Sequence, residues 1–231
     1  MNNWFLWLFI ATWIVGPLVY SAGTLRNLFL GWRIPTTWIS ALPGQGWVEV
    51  IGRVKGDPIQ SQIKKSECVY WQLEIKEYKS GGRGGGRWQT VRKTSSGPFS
   101  VDDMTGRIKI LEGAADMVLG DDPAIENLDQ ATKIFLENLG VKTKGILGFD
   151  KKLRIYERTL APEEEILILG KIQRIEGQIS ISGGAIVPQV ISKLNKAQTL
   201  KTLLLRGVKP MILPYAIGFI FIGFYFYNLL R

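Results

Sequence analysis

The sequence predicts a mainly β fold with one main α-helix: a barrel-like antiparallel β domain flanked by two transmembrane α-helices. Three observations predict it. Apolar and polar residues alternate with period two through the middle of the chain, as in strands that bury one face. Between them, Ile125, Leu128, Ala131, Phe135 and Leu139 recur at helical spacing. Residues 1–25 and 211–230 carry no charged side chain, and a helix rising about 1.5 Å per residue crosses about 30 Å of hydrocarbon in roughly twenty residues.

Residues 4–22 form the first expected span, with Trp4, Trp7 and Trp13 toward one interface, Tyr20 toward the other, and a kink at Gly16-Pro17. A cleaved signal peptide is the alternative, favoured by the small residues Ser21, Ala22 and Gly23 and opposed by the lack of a basic start. Residues 26–44 link this segment to the domain; their aromatics, Phe29, Trp32 and Trp38, suit either the headgroup level or the domain core. The domain itself is expected over 45–200. Trp47 to Lys55 alternates as a first strand, and Gly56-Asp57-Pro58 turns the chain. Cys68 to Lys79 is a second strand and Trp88 to Lys93 a third, joined by the glycine run between Ser80 and Arg87. Around Asp103-Met-Thr-Gly106, Phe99 and Val101 alternate on the way in and Ile108 and Ile110 on the way out. That is a tight hairpin in which the aspartate accepts from turn amides and the glycine takes a positive φ. A helix over 123–139 is expected to start at Asp121-Asp122-Pro123 and to end on Gly140. Strands resume at 152–160, at 166–175 and after the Glu176-Gly177 turn, and a short basic helix over 195–205 leads into the second span.

Composition restricts the chemistry. The chain has one cysteine, Cys68, and no histidine, which removes intramolecular disulfides, Ser-His-Asp triads, most zinc sites and the commonest general base. The net charge of +9 is uneven: residues 26–96 hold 12 basic and 5 acidic groups, 97–170 hold 9 and 14, and 171–231 hold 8 and 1. Basic groups next to both apolar segments place the domain on the cytoplasmic side, with the opposite side as the alternative, and suit an anionic lipid bilayer. For the same reason nucleic acid is not an expected partner. The carboxylates available for acid–base work are Asp102, Asp103, Glu157, Glu163, Glu164 and Glu165, and each sits where a turn or an internal partner accounts for it. The glycine run with Arg83 and Arg87 reads first as a loop and secondly as an anion contact; it lacks the Lys-Ser/Thr of a P-loop.

The ordered set Cys68-x-Tyr70, Trp88, Pro98-Phe-x-Val-x-Asp103-x-x-Gly106, Glu112-Gly-Ala, Tyr156-x-Arg158-x-Leu-x-Pro-Glu163 and Leu169-Gly170 resembles the GIDE, or beside-a-membrane, domain family over roughly 45–200, together with its two-span layout. The best-known members are ubiquitin ligases of organellar outer membranes, whose activity resides in a RING finger after the second span. This chain has too few zinc ligands for a RING, so ligase activity does not carry over. The resemblance is to RING-less bacterial, especially cyanobacterial, versions, and it implies a non-catalytic binding or scaffold module, held in the bilayer by two spans, that engages a membrane protein or complex. A sensor of lipid headgroups or anions is the alternative, and a hydrolase the least favoured. In eukaryotic relatives the domain faces the intermembrane space. Candidate binding residues are Arg83, Arg87, Trp88, Asp103, Glu157 and Arg158; no catalytic residue, metal or cofactor is expected, and the oligomeric state is left open.

Overall fold

The computed structural model describes residues 26, 28–81, 85–111, 116–118, 124–145, 148–175, 177–184, 189–205 and 216. Among the described residues there are twelve strands: β1 (Gly46–Lys55), β2 (Ile59–Gln60), β3 (Glu67–Cys68), β4 (Tyr70–Ser80), β5 (Gly86–Ser95), β6 (Phe99–Asp102), β7 (Arg107–Ile110), β8 (Asp116–Val118), β9 (Leu153–Leu160), β10 (Glu165–Ile175), β11 (Gln178–Ser182) and β12 (Val190–Ser192). Helix α1 spans Gln130–Asn138, and α2 covers 196–205.

Five strands close a barrel. β1 pairs with β6, β6 with β7, β7 with β11, β11 with β10, and β10 with β1 again. All of these pairings are antiparallel except β7–β11, which is parallel, as is β8–β12 outside the barrel. The pairing is thus mostly antiparallel, with these two pairs as the exceptions. Counted in chain order the barrel strands run 1-2-3-5-4-1, and closure leaves none of the five with an open edge along its whole length. The interior is filled by the inward-facing set of the alternation: Val48, Val50 and Val54 from β1, Val101 from β6, Ile108 and Ile110 from β7, Ile166 and Ile168 from β10, and Ile181 from β11. Closure needs glycine at Gly52, where a Cβ would lie 2.7 Å from both the Asp102 carbonyl and Val101 Cγ1. At that point β1 passes from its pairing with β10 to its pairing with β6.

Between the first two barrel strands, and again between the third and the fourth, the chain contributes to a second layer. β4 pairs with β5 on one side and β9 on the other, giving a separate three-stranded sheet. Its inner face, with Leu73, Ile75, Leu153 and Ile155, packs on Leu136 of α1. Asp129 caps α1 by accepting from the Thr132 N–H (2.8 Å). Gly140, at φ +78°, ends it in a Schellman pair: its own N–H donates to Glu137 O and that of Val141 to Leu136 O. The helix thus starts seven residues later than its apolar spacing suggests. Ile125 is extended and exchanges backbone hydrogen bonds with Ile155, so a residue that fits helical spacing reaches the same core from a bridge. The expected start at 121–123 lies outside the described residues.

The flanking transmembrane helices are corrected. Among the described residues no helix is long and apolar enough to cross a membrane. The apolar stretches that carried the expectation, 1–25 and 211–230, lie outside the described residues but for Ala216. Lack of charge shows only that a segment can be buried, and it does not separate burial in lipid from other burial. The fold class is therefore a mainly β barrel with an accessory sheet and few helices, and an integral membrane protein with two spans and a domain on a stated side of the bilayer is not carried forward.

Candidate functional site

The β6–β7 hairpin forms as its alternation predicts, with Val101 opposite Ile108 and Asp102 opposite Arg107. Its tip differs. The left-handed residue is Met104, at φ +70°, while Gly106 has no positive φ. Glycine at 106 instead leaves room for a neighbouring side chain: a Cβ there would lie 3.0 Å from Ile39 Cγ2. Two aspartates hold the tip. Asp102 Oδ1 accepts from the Met104 N–H (2.9 Å). Asp103, 7% exposed, accepts from the Thr105 N–H (2.9 Å), the Thr105 hydroxyl (2.7 Å) and the Gly106 N–H (3.1 Å), and its other oxygen takes the Ile39 N–H (2.6 Å). Burial alone would raise its pKa. The Ile39 amide, the Thr105 hydroxyl and amide, and the Gly106 amide outweigh burial and hold it below the usual carboxylate range.

A second buried carboxylate aligns the segment that faces this tip, residues 35–42, here called the strap. Glu49 on β1 accepts from the Thr36 hydroxyl (2.6 Å) and pairs with Lys196 of α2 (3.0 Å), while the Thr37 N–H donates to the Glu49 carbonyl (2.8 Å). The strap is thus fixed to β1 at one end and to Asp103 at the other. Between strap, β1 and hairpin tip lies a groove of about 650 Å³, lined by Thr36–Trp38, Ile51, Arg53, Lys55, Asp102–Met104, Glu163 and Glu165. Trp38 and Met104, 63% and 96% exposed, are among its lining residues and stand far into solvent. The charges around it are mostly paired: Lys55 with Glu163, and Arg107 with Asp102 (3.5 Å). Arg53, flanked in register by Asp102 on β6 and Glu165 on β10, is exposed.

Of the candidate binding residues, Asp103 lines this groove. Trp88 and Arg158 lie on the accessory sheet, Arg158 paired with Glu74 (3.1 Å). Arg87 is exposed at the start of β5, and Arg83 lies outside the described residues. Glu157 is buried; it accepts from the Ile63 N–H (2.8 Å) and the Lys64 N–H (2.6 Å), clamping the loop before β3. Cys68 is buried, and burial, then the charge of Glu157, push its thiol pKa up, away from the thiolate a nucleophile needs. Among the described residues no group of three acidic, cysteine or histidine side chains could hold a metal ion. Sequence reasoning passed over Trp38, Arg53 and Met104. A large apolar residue at the tip of a polar turn was the available signal for Met104.

Barrel, strap and groove together make a β-barrel with one groove that combines exposed apolar side chains with charged ones. No protein-family model, curated protein or solved structure matches the chain.

Proposed function

We propose that the chain is a non-catalytic binding module that engages a partner protein at the groove beside the β6–β7 hairpin. The observation that carries this reading is the exposure of Trp38 and Met104 on one groove, with Met104 held in a left-handed conformation that costs a non-glycine residue about 1 kcal/mol or more. Large exposed apolar side chains around a pocket, over a floor with a charged arginine, are the anatomy of a protein interface. The carboxylates Asp102, Asp103 and Glu163 are engaged by amides or cations, which suits scaffolding better than proton transfer. The reading needs no membrane anchor and no RING.

A photoreactive amino acid placed at position 104 of the full chain, irradiated in the native cell, tests it. The expected result is a discrete covalent adduct that is lost in the Trp38→Ala background and absent when the same residue replaces Ile134, which is exposed on α1. Equal adducts from both positions, or an adduct indifferent to Trp38→Ala, would overturn it.

A further inference from the structure

We propose that the outer face of the β5–β4–β9 sheet binds single-stranded nucleic acid, its bases stacking on an array of rings and guanidinium groups and its phosphates meeting the surrounding cations. The face is opposite to the one that packs on α1; its Tyr70–Leu160 end is buried against the barrel core, and beyond it the side chains of Lys76, Tyr78, Trp88, Arg154 and Tyr156 reach solvent wholly or in part. β4 contributes Lys76 and Tyr78, β5 Trp88, and β9 Arg154, Tyr156 and Arg158, placed on one face by the register of the three strands and spread over four successive rungs.

Each ring carries a cation. Arg154 Cζ lies 4.1 Å from the centre of Trp88, Lys76 Nζ 5.0 Å and Arg158 Cζ 5.7 Å from Tyr156, and Lys152 Nζ 5.9 Å from Tyr78; Tyr78 and Trp88 meet edge to face at 5.4 Å. A guanidinium stacked on an indole presents a second flat surface to a base. Against these cations stand two carboxylates, Glu74, which takes Lys76 and Arg158, and Glu126, which takes Arg154. Among the described residues the four cations on the rings thus face two anions, an excess of positive formal charge.

Charge alone would suit any anionic surface. The three rings favour nucleic acid among them, because each base offers a flat face that can stack on a ring, which a headgroup phosphate or an acidic side chain does not. Three of the four cations, Lys152, Arg154 and Arg158, come from the stretch of chain with a net negative charge. Counting along the sequence therefore hides this patch.

The test uses the full chain and a fluorescently labelled twelve-nucleotide oligothymidylate, followed by anisotropy. Binding is expected, with log K falling against log salt with a slope of about −2, as for roughly three phosphates neutralised on a single strand. Trp88→Ala combined with Tyr156→Ala, which leaves every charge in place, is expected to weaken binding at least tenfold, with circular dichroism confirming the fold. Should that variant misfold, Lys152→Glu, at an exposed position before β9, serves instead: it is expected to weaken binding and flatten the salt slope, and Lys152→Arg to restore both. An affinity unchanged by losing the rings or by reversing Lys152, or equal competition by polyglutamate or by phosphatidylserine vesicles, would overturn the proposal.

Discussion

Asp103 shows how much one side chain can organise. Its sequence context, an aspartate three residues before a glycine between alternating runs, announces a turn in which the carboxylate binds nearby amides, and it does bind those of Thr105 and Gly106. The donor that makes it matter to the groove is the Ile39 N–H, 64 residues away, and no local pattern marks that partner. Replacing Asp103 with alanine leaves four donors to be satisfied by water or not at all. The expected loss is about 2–3 kcal/mol in urea-induced unfolding, together with faster amide exchange at Ile39. A loss under about 0.5 kcal/mol would mean that the strap does not depend on this carboxylate. Met104 carries the opposite lesson, since its exposure follows from the positive φ that the two aspartates impose, and the sequence suggested that the glycine would take that conformation.

At the scale of elements, alternation located β1, β4, β9, β10 and the β6–β7 hairpin within a residue or two, because which face a side chain takes is decided by its immediate neighbours. The helix was placed less well. Ile125 and Leu128 contribute to the same hydrophobic cluster as Leu136 and so mimic a longer helical stripe, while the start is fixed by the Asp129 cap. Two glycines separate backbone crowding from side-chain crowding. At Gly52 a new Cβ meets the backbone of β6, and at Gly86 it falls on the phenol of Tyr78, an exposed side chain that can swing aside. Gly52→Ala is therefore expected to cost about 1–3 kcal/mol, measured by thermal or urea denaturation, and Gly86→Ala much less. Equal costs would show that the barrel is not tight where β1 passes to β6.

The whole molecule is held by carboxylates placed at junctions, and that sets its response to acid. Burial works to raise the pKa values of Asp103, Glu74 and Glu77. Amides and the Thr105 hydroxyl around the first, Lys76, Thr90 and Arg158 around the second, and Lys79 and Lys151 around the third overcome it, so all three are lowered. A lowered carboxylate stabilises the fold at pH above its unfolded value and loses that contribution as pH falls through the folded one. With no histidine in the chain, the urea midpoint is expected to stay level from about pH 7.5 to 5.5 and to fall below about pH 4; a step near pH 6.5 would contradict this. By itself the sequence determined the β class, most strand positions, the hairpin and the absence of histidine and disulfide chemistry, since these depend on composition and on spacing along a few residues. Only the tertiary structure decided that five strands close a barrel while β4, β5 and β9 leave it, that Trp38 and Met104 share a groove, and that cations from an acidic stretch gather on one face. Those outcomes rest on pairings between residues far apart in the chain, such as Glu49 with Lys196 and Lys55 with Glu163, and long-range pairing leaves no periodic trace in the sequence.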